Sequence, residues 1–101
     1  MDEIDFLQAA ECLKTIAHPV RLAMIHYLLQ RGSASVGDIA KFCKLKSHVV
    51  SEHLTLLKDR GFFESKRVGR NVFYSIKETA LENIMNCIRK KFIIGGNKHA
   101  S

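Results

Sequence analysis

Ser47, His48, Ser51, Glu52 and Thr55 recur at spacings of three and four residues, so on a helix they share one face. Their side chains are short hydrogen-bonding groups: hydroxyls that both donate and accept, an imidazole, and one carboxylate that only accepts. No nucleophile–base constellation, Gly-rich phosphate loop or carboxylate pair is visible in the chain. The chemistry on offer is recognition by hydrogen bonds, without bond breaking. A second group follows closely. Lys66, Arg67, Arg70 and Asn71 bring three cations and no anion into one short stretch, which suits contact with a polyanion.

The first group needs a helix to carry it. Ser47 is the expected N-cap, its hydroxyl accepting from a free N–H of the first turn. Gly61 suits the left-handed residue that ends a helix, and Lys58 and Arg60 sit where the helix dipole favours cations. Val50, Leu54 and Leu57 recur at i, i+4 and i+7 and form a buried stripe opposite His48, Ser51, Glu52 and Thr55. A helix of this kind can lie in a DNA major groove. Taken alone, the pattern also fits a helix that only packs.

The neighbouring segments favour the groove. A helix over about 36–43 is capped by Ser35 with Asp38 in its first turn, turns Val36, Ile39 and Ala40 inward, and leaves Lys41 and Lys44 outside. Lys44-Leu45-Lys46 then makes a tight turn into Ser47. Two short helices joined in this way form a helix-turn-helix, in which the second helix is presented to DNA. After Gly61 the pattern becomes extended over 62–68 and 71–76, with Gly69-Arg70 as a two-residue hairpin turn. Lys66, Arg67, Arg70 and Asn71 mark the hairpin tip, which reads as a wing touching phosphates or the adjacent minor groove.

Three further helices complete the chain. Asp5 and Gln8 have the form of a capping box opening a helix over about 5–17, with Phe6, Ala10, Leu13 and Ala17 on one stripe. His18-Pro19 punctuates, and a second helix runs from Pro19 to about Gln30 with Leu22, Ile25, Leu28 and Leu29 inward. Gly32 ends it, and Ser33-Ala34 is expected as a tight connection. A last helix over about 78–93 carries the seam Ala80/Leu81, Ile84/Met85, Ile88 and Phe92. Residues 95–101 read as a flexible tail. Periodicity alone leaves open whether the stripes of the first and last helices pack within one subunit or between two.

At 101 residues with 47% hydrophobic content, the chain makes one domain with a modest core that oligomerisation would help. It has no apolar run long enough to cross a bilayer and no basic, apolar leader, so it reads as cytoplasmic. Cys12, Cys43 and Cys87 contain no Cys-x-x-Cys pair; they do not make a disulfide framework and are expected as small buried hydrophobes. The net charge of +6 is uneven: residues 41–71 carry eight basic and three acidic groups, nearly the whole excess. Charge concentrated in this way is the footprint of a nucleic-acid binder. The runner-up on the residues alone is a protein-interaction module whose basic face meets an acidic partner.

The run Leu13-Lys14-Thr15-Ile16-Ala17-His18-Pro19-Val20-Arg21-Leu22, then Ser35-Val36-Gly37-Asp38-Ile39-Ala40, Ser47 to Leu57, and Gly61 through Gly69-Arg70-Asn71-Val72-Phe73-Tyr74, resembles the ArsR/SmtB-type winged helix-turn-helix transcriptional repressors over about residues 7–92. The resemblance implies a mainly α fold with a β-hairpin. It also implies a homodimer through the first and last helices, and repression at a palindromic operator. Base and backbone contacts would fall on Lys46, Ser47, His48, Ser51, Glu52 and Thr55, and wing contacts on Lys66, Arg67, Arg70 and Asn71. Phe6, Ala10, Leu13, Leu81, Ile84, Met85 and Ile88 would build the dimer. Glu52 and His48 depart from the residues common in the family at those positions, and His53 reads as a packed histidine beside the buried stripe.

The effector patterns of the family are largely absent. The arsenic-sensing cysteines would fall on Ser35 and Gly37, and the zinc set of the last helix near Glu78, Ala80, Lys91 and Ile94. Persulfide-sensing members pair a cysteine of helix two with one of helix five; here helix two offers His26, and Cys87 sits higher on helix five. No metal or cofactor is therefore expected. Two other options are Cys12 with Cys87 as a thiol pair near the dimer interface, and a metal between Cys43 and His48. The remaining option is a repressor with no small ligand.

Overall fold

The computed structural model describes residues 3–94. The chain forms α1 (Phe6–Ile16), α2 (Pro19–Arg31), β1 (Ser33–Ser35), α3 (Val36–Cys43), α4 (Ser47–Asp59), β2 (Phe63–Val68), β3 (Asn71–Ile76) and α5 (Ala80–Phe92). This is the anticipated winged-helix order with one addition. Ser33–Ser35, anticipated as a tight connection, is a strand that pairs antiparallel with β3 through Ser33↔Ser75, Ala34↔Tyr74 and Ser35↔Phe73. The sheet therefore has three strands in the order β1-β3-β2. A bare hairpin leaves one edge of β3 with unpaired N–H and C=O groups, and the segment between α2 and α3 satisfies them. Ala34 and Tyr74, paired across the two strands, are both buried. The tail anticipated over 95–101 lies outside the described residues.

One hydrophobic cluster joins the elements. It contains Ile16 of α1, Met24, Ile25 and Leu28 of α2, Ile39 and Ala40 of α3, Val50, Leu54 and Leu57 of α4, Phe63 and Tyr74 of the hairpin, and Leu81 and Met85 of α5. Among the described residues no helix is long and apolar enough to cross a membrane.

Local chemistry sets the helix boundaries. The Asp5 carboxylate accepts from the Gln8 N–H at 3.0 Å and opens α1. The His18 Nδ1 accepts from the Val20 N–H at 3.1 Å, with Pro19 in the first helical position of α2. The Ser35 hydroxyl accepts from the Asp38 N–H at 3.1 Å and opens α3. The start of α4 differs from the expectation. Its N-cap is Lys46, in extended conformation, whose carbonyl accepts from Val49 and Val50 at 3.0 and 3.1 Å. Ser47 is one residue inside the helix, and no side chain caps it. The Ser47 hydroxyl is thus not consumed by the cap.

Two expectations about surfaces need correction. Leu81 and Met85, assigned to a dimer seam, are 1% and 3% exposed inside one subunit. α5 turns that row inward against α2, which leaves those side chains no surface to bury in a partner. The cysteines are not buried hydrophobes: Cys12 and Cys87 are exposed and Cys43 is half-buried. The buried residues of α1 are Thr15 and Ile16, at its C-terminal end, so Cys12 remains outside. Cys87 lies two residues past the inward-facing Met85, and on a helix that spacing points it elsewhere.

The two helices of the helix-turn-helix end in the same way. After α4, Gly61 takes φ +87°, its N–H bonds to the Lys58 carbonyl at 3.0 Å, and the Phe62 N–H bonds to the Leu57 carbonyl at 2.9 Å. After α3, Lys44 takes φ +59°, with Lys44 N–H to Lys41 and Leu45 N–H to Ala40 at 3.2 and 3.1 Å. The paired bonds are those of a left-handed helix stop, comfortable for glycine and strained for lysine. In urea denaturation, Lys44→Gly should raise stability by about 1 kcal/mol and Gly61→Ala should lower it by about as much. Changes of the same sign in both variants would contradict this account of the turn.

Candidate nucleic-acid interface

The surface of interest begins with what α4 hides. Val50, Leu54 and Leu57 are fully buried, so the angular position of the helix on the core is fixed. The residues between them are then forced outward. Ser47, His48, Glu52 and Thr55 are exposed and Ser51 is half-exposed along the helix, and the N-cap Lys46 is exposed at its start, so all six predicted positions are accessible. α3 packs against α4 across the Lys44–Lys46 turn, bracing it from behind.

The wing is placed as anticipated, with one refinement. Val68 pairs with Asn71, which leaves Gly69 and Arg70 as a two-residue loop. Gly69 has φ +62° and Arg70 does not have positive φ, the signature of a turn with glycine at its first central position. Lys66, Arg67, Arg70 and Asn71 are all exposed. The register separates two of them, because neighbouring residues on a strand point to opposite faces. Arg67 pairs with Val72, on the face that carries buried Phe63 and Tyr74. Lys66 pairs with Phe73 on the outer face, where it borders Val68, Ser75 and Ser33. The four wing residues thus address two directions.

A polar network behind α4, centred on residues that spacing did not single out, ties the helix to α1 and α2. Arg21 Nε donates to His53 Nδ1 at 3.1 Å, and Arg21 Nη1 donates to the Thr15 carbonyl at 2.8 Å. Arg60 Nη1, just past the end of α4, donates to the Thr15 hydroxyl at 3.0 Å, which itself donates to the Glu11 carbonyl at 3.0 Å. The His18 ring lies 4.9 Å from the His53 ring. His53 is half-buried and engaged inward, in agreement with its reading as a packed histidine. The sequence gives Arg21, Thr15, His18 and Arg60 no signal for these contacts: Arg60 suits the dipole at the end of its helix and His18 the break before Pro19. Three of them stand in the run from Leu13 to Leu22 that carries the resemblance, but a run does not say which partner each residue meets.

Among the described residues the cysteines and histidines do not form a ligand set. Among the described residues no group of three or more His, Cys, Asp or Glu could hold a metal ion. Burial pushes the Cys43 thiol up, which disfavours its thiolate form. Cys12 borders a groove of about 220 Å³ between α1 and α5, beside Leu13, Ile16 and Ile84.

Burial, the Arg21 guanidinium and the His18 ring hold His53 below the ordinary histidine value, against a smaller opposing pull from Glu52. The folded chain therefore resists a proton that the unfolded chain accepts below about pH 6.5. Stability should fall as pH drops through that value and level off below the folded one. His53→Gln, which retains an acceptor for Arg21 and does not titrate, should show a shallower fall between about pH 6.5 and 5. Thermal melts across that range check this, and identical pH profiles for the two proteins would refute it.

Comparison with known proteins agrees with this geometry. Residues 16–65 match the family described as a helix-turn-helix domain. The chain is 31% identical over 85 residues to the HTH-type transcriptional regulator YgaV of Escherichia coli, covering 84% of this chain and 86% of that one. It is 34% identical over 77 residues to the transcriptional repressor SmtB homolog of Synechocystis, covering 76% of this chain and 58% of that one. The crystal structure of the transcriptional repressor BigR from Xylella fastidiosa superposes with a TM-score of 0.80 at 28% identity, covering 87% of this chain and 89% of that one. With these relatives, a helix-turn-helix whose second helix presents its polar face, and a cationic wing, the chain belongs to the ArsR/SmtB-type winged-helix family of DNA-binding transcriptional repressors.

Proposed function

We propose that the chain acts in the cytoplasm as a single-domain homodimer that grips a palindromic operator. In this reading the face of α4 made by Lys46, Ser47, His48, Ser51, Glu52 and Thr55 meets the major groove, and Lys66, Arg67, Arg70 and Asn71 meet the flanking backbone. The dimer rests on one observation. Phe6 and Leu13 of α1 are 72% and 54% exposed, and Phe92 at the end of α5 is 69% exposed. Large apolar side chains uncovered on two helices of a small domain favour a partner surface. Ala10, also exposed, lies on the same α1 stripe, and half-buried Ile84 and Ile88 extend it along α5. Two copies of α4 related by a dyad suit a palindrome, whose half-sites mirror the symmetry of the protein.

The signal is a second question, and exposure favours a thiol there. Cys12 on α1 and Cys87 on α5 are both accessible on the helices assigned to the dimer. A peroxide oxidant would take two electrons and two protons from the pair to make a disulfide, and is itself reduced to water or alcohol. If the thiols are the switch, peroxide should change the DNA affinity of the native chain and leave a Cys12→Ser/Cys87→Ser variant unaffected. Equal responses in the two proteins would remove the thiols as sensor.

Leu13→Glu should shift the sedimenting species from dimer to monomer and weaken DNA binding at least about tenfold, since a charge in a dry interface costs several kcal/mol. A variant that sediments like the parent would refute the assigned interface. The wing makes a separate prediction. Arg67→Ala/Arg70→Ala should weaken binding to all DNA sequences alike. It should also flatten the slope of log affinity against log salt by about two per subunit, because each lost phosphate contact releases about one counterion fewer. An unchanged slope would place those arginines away from phosphate.

A further inference from the structure

Of the six residues assigned to the α4 face, two have a fixed hydrogen-bonding sense: Lys46 only donates, and Glu52 only accepts. The hydroxyls of Ser47, Ser51 and Thr55 rotate to donate or accept, and the His48 imidazole does either according to its tautomer. Glu52, ionised, only accepts. It is exposed on that face, where it lines a shallow, open depression with Ser51, Thr55, Leu56 and Asp59. No cation neutralises it: the one ion pair among the described residues is Glu11 with Lys14 on α1. His48, one helical turn earlier, makes no ion pair with it, and Asp59, two turns later, adds a second negative charge.

A bare carboxylate brought between two rows of phosphates is repelled by both, and cannot hydrogen-bond to them because acceptor faces acceptor. It is tolerated only where the groove floor offers a donor. Guanine presents N7 and O6 acceptors, and thymine presents O4, so both repel it. Adenine offers its N6 amine, but with the N7 acceptor directly beside it. Cytosine offers its N4 amine beside a C–H edge, with no acceptor of its own in the major groove.

We propose that Glu52 is a specificity-determining residue that reads cytosine, accepting a hydrogen bond from its N4 amine at one fixed position in each operator half-site. The proposal rests on the reading of α4 as the helix that enters the major groove. It assigns Glu52 a mainly discriminating role: the residue excludes guanine and thymine at that position and lowers affinity for DNA in general.

The test uses the full chain and its Glu52→Gln variant, each selecting from a random double-stranded DNA library at low salt. The parent should retain fragments with cytosine at one position per half-site. Glutamine carries a donor and an acceptor that match adenine N6 and N7. In the variant the same position should therefore lose its cytosine preference and move towards adenine, while the other positions stay unchanged. On two defined duplexes differing only there, the parent should favour cytosine over thymine by at least about tenfold and the variant should not. Glu52→Gln should also bind unrelated DNA more tightly than the parent. Position 52 is exposed, so a thermal melt unchanged from that of the parent confirms that folding is not the variable. If both proteins select the same base at every position, the assignment of Glu52 is overturned. If neither retains any DNA, the groove reading itself fails and takes the assignment with it.

Discussion

The structure depends on the burial of three side chains. Val50, Leu54 and Leu57 of α4 have no exposed surface, and each contributes about 1.5–3 kcal/mol by leaving water. Their value to function is geometric. A helix anchored along one stripe cannot rotate without pulling apolar surface back into water, so every other residue on it has a fixed heading. The polar face is therefore presented by a constraint on its opposite side. The Arg21–His53 hydrogen bond and the Arg60–Thr15 contact fix the same helix from two further directions.

The molecule divides its surface by chemistry. Cations and short polar groups gather on α4 and the hairpin tip, which suits a charged polymer whose binding is dominated by counterion release. Most of the exposed large apolar groups gather at α1 and the end of α5, with Phe42 of α3 and Val68 of β2 apart from them. The two regions are joined through Thr15, whose carbonyl meets Arg21 and whose hydroxyl meets Arg60. Those bonds connect α1 physically to α2 and to the end of α4.

What could be read from the chain follows from the range of each interaction. Helix periodicity, the hairpin turn at Gly69-Arg70 and the stop at Gly61 are local, so they were legible and hold in the structure. The cap of α4 falls on Lys46 and not on Ser47, because the left-handed backbone at Lys44, and not side-chain capping preference, sets where the turn ends. β1 is not legible because three residues carry no alternation and its partner, β3, lies some forty positions away. The same limit applies to Leu81 and Met85. Their spacing shows an apolar row, and only the packing of α5 on α2 shows that the row faces inward. The outward positions of α4 were legible through the stripe they oppose. Arg21 and Arg60 were not, because nothing local ties an arginine to a carbonyl or a hydroxyl in another helix.

In the proposed dimer, two copies of the α4 face meet DNA together. Hydroxyl-radical and methylation footprinting of a selected operator measures this directly. The account predicts two protected major-groove segments related by a dyad, with centres about one helical turn (roughly 34–36 Å) or a whole multiple of it apart, and backbone protection beyond each from the wings. A single protected segment, or protection without groove contact, would contradict it.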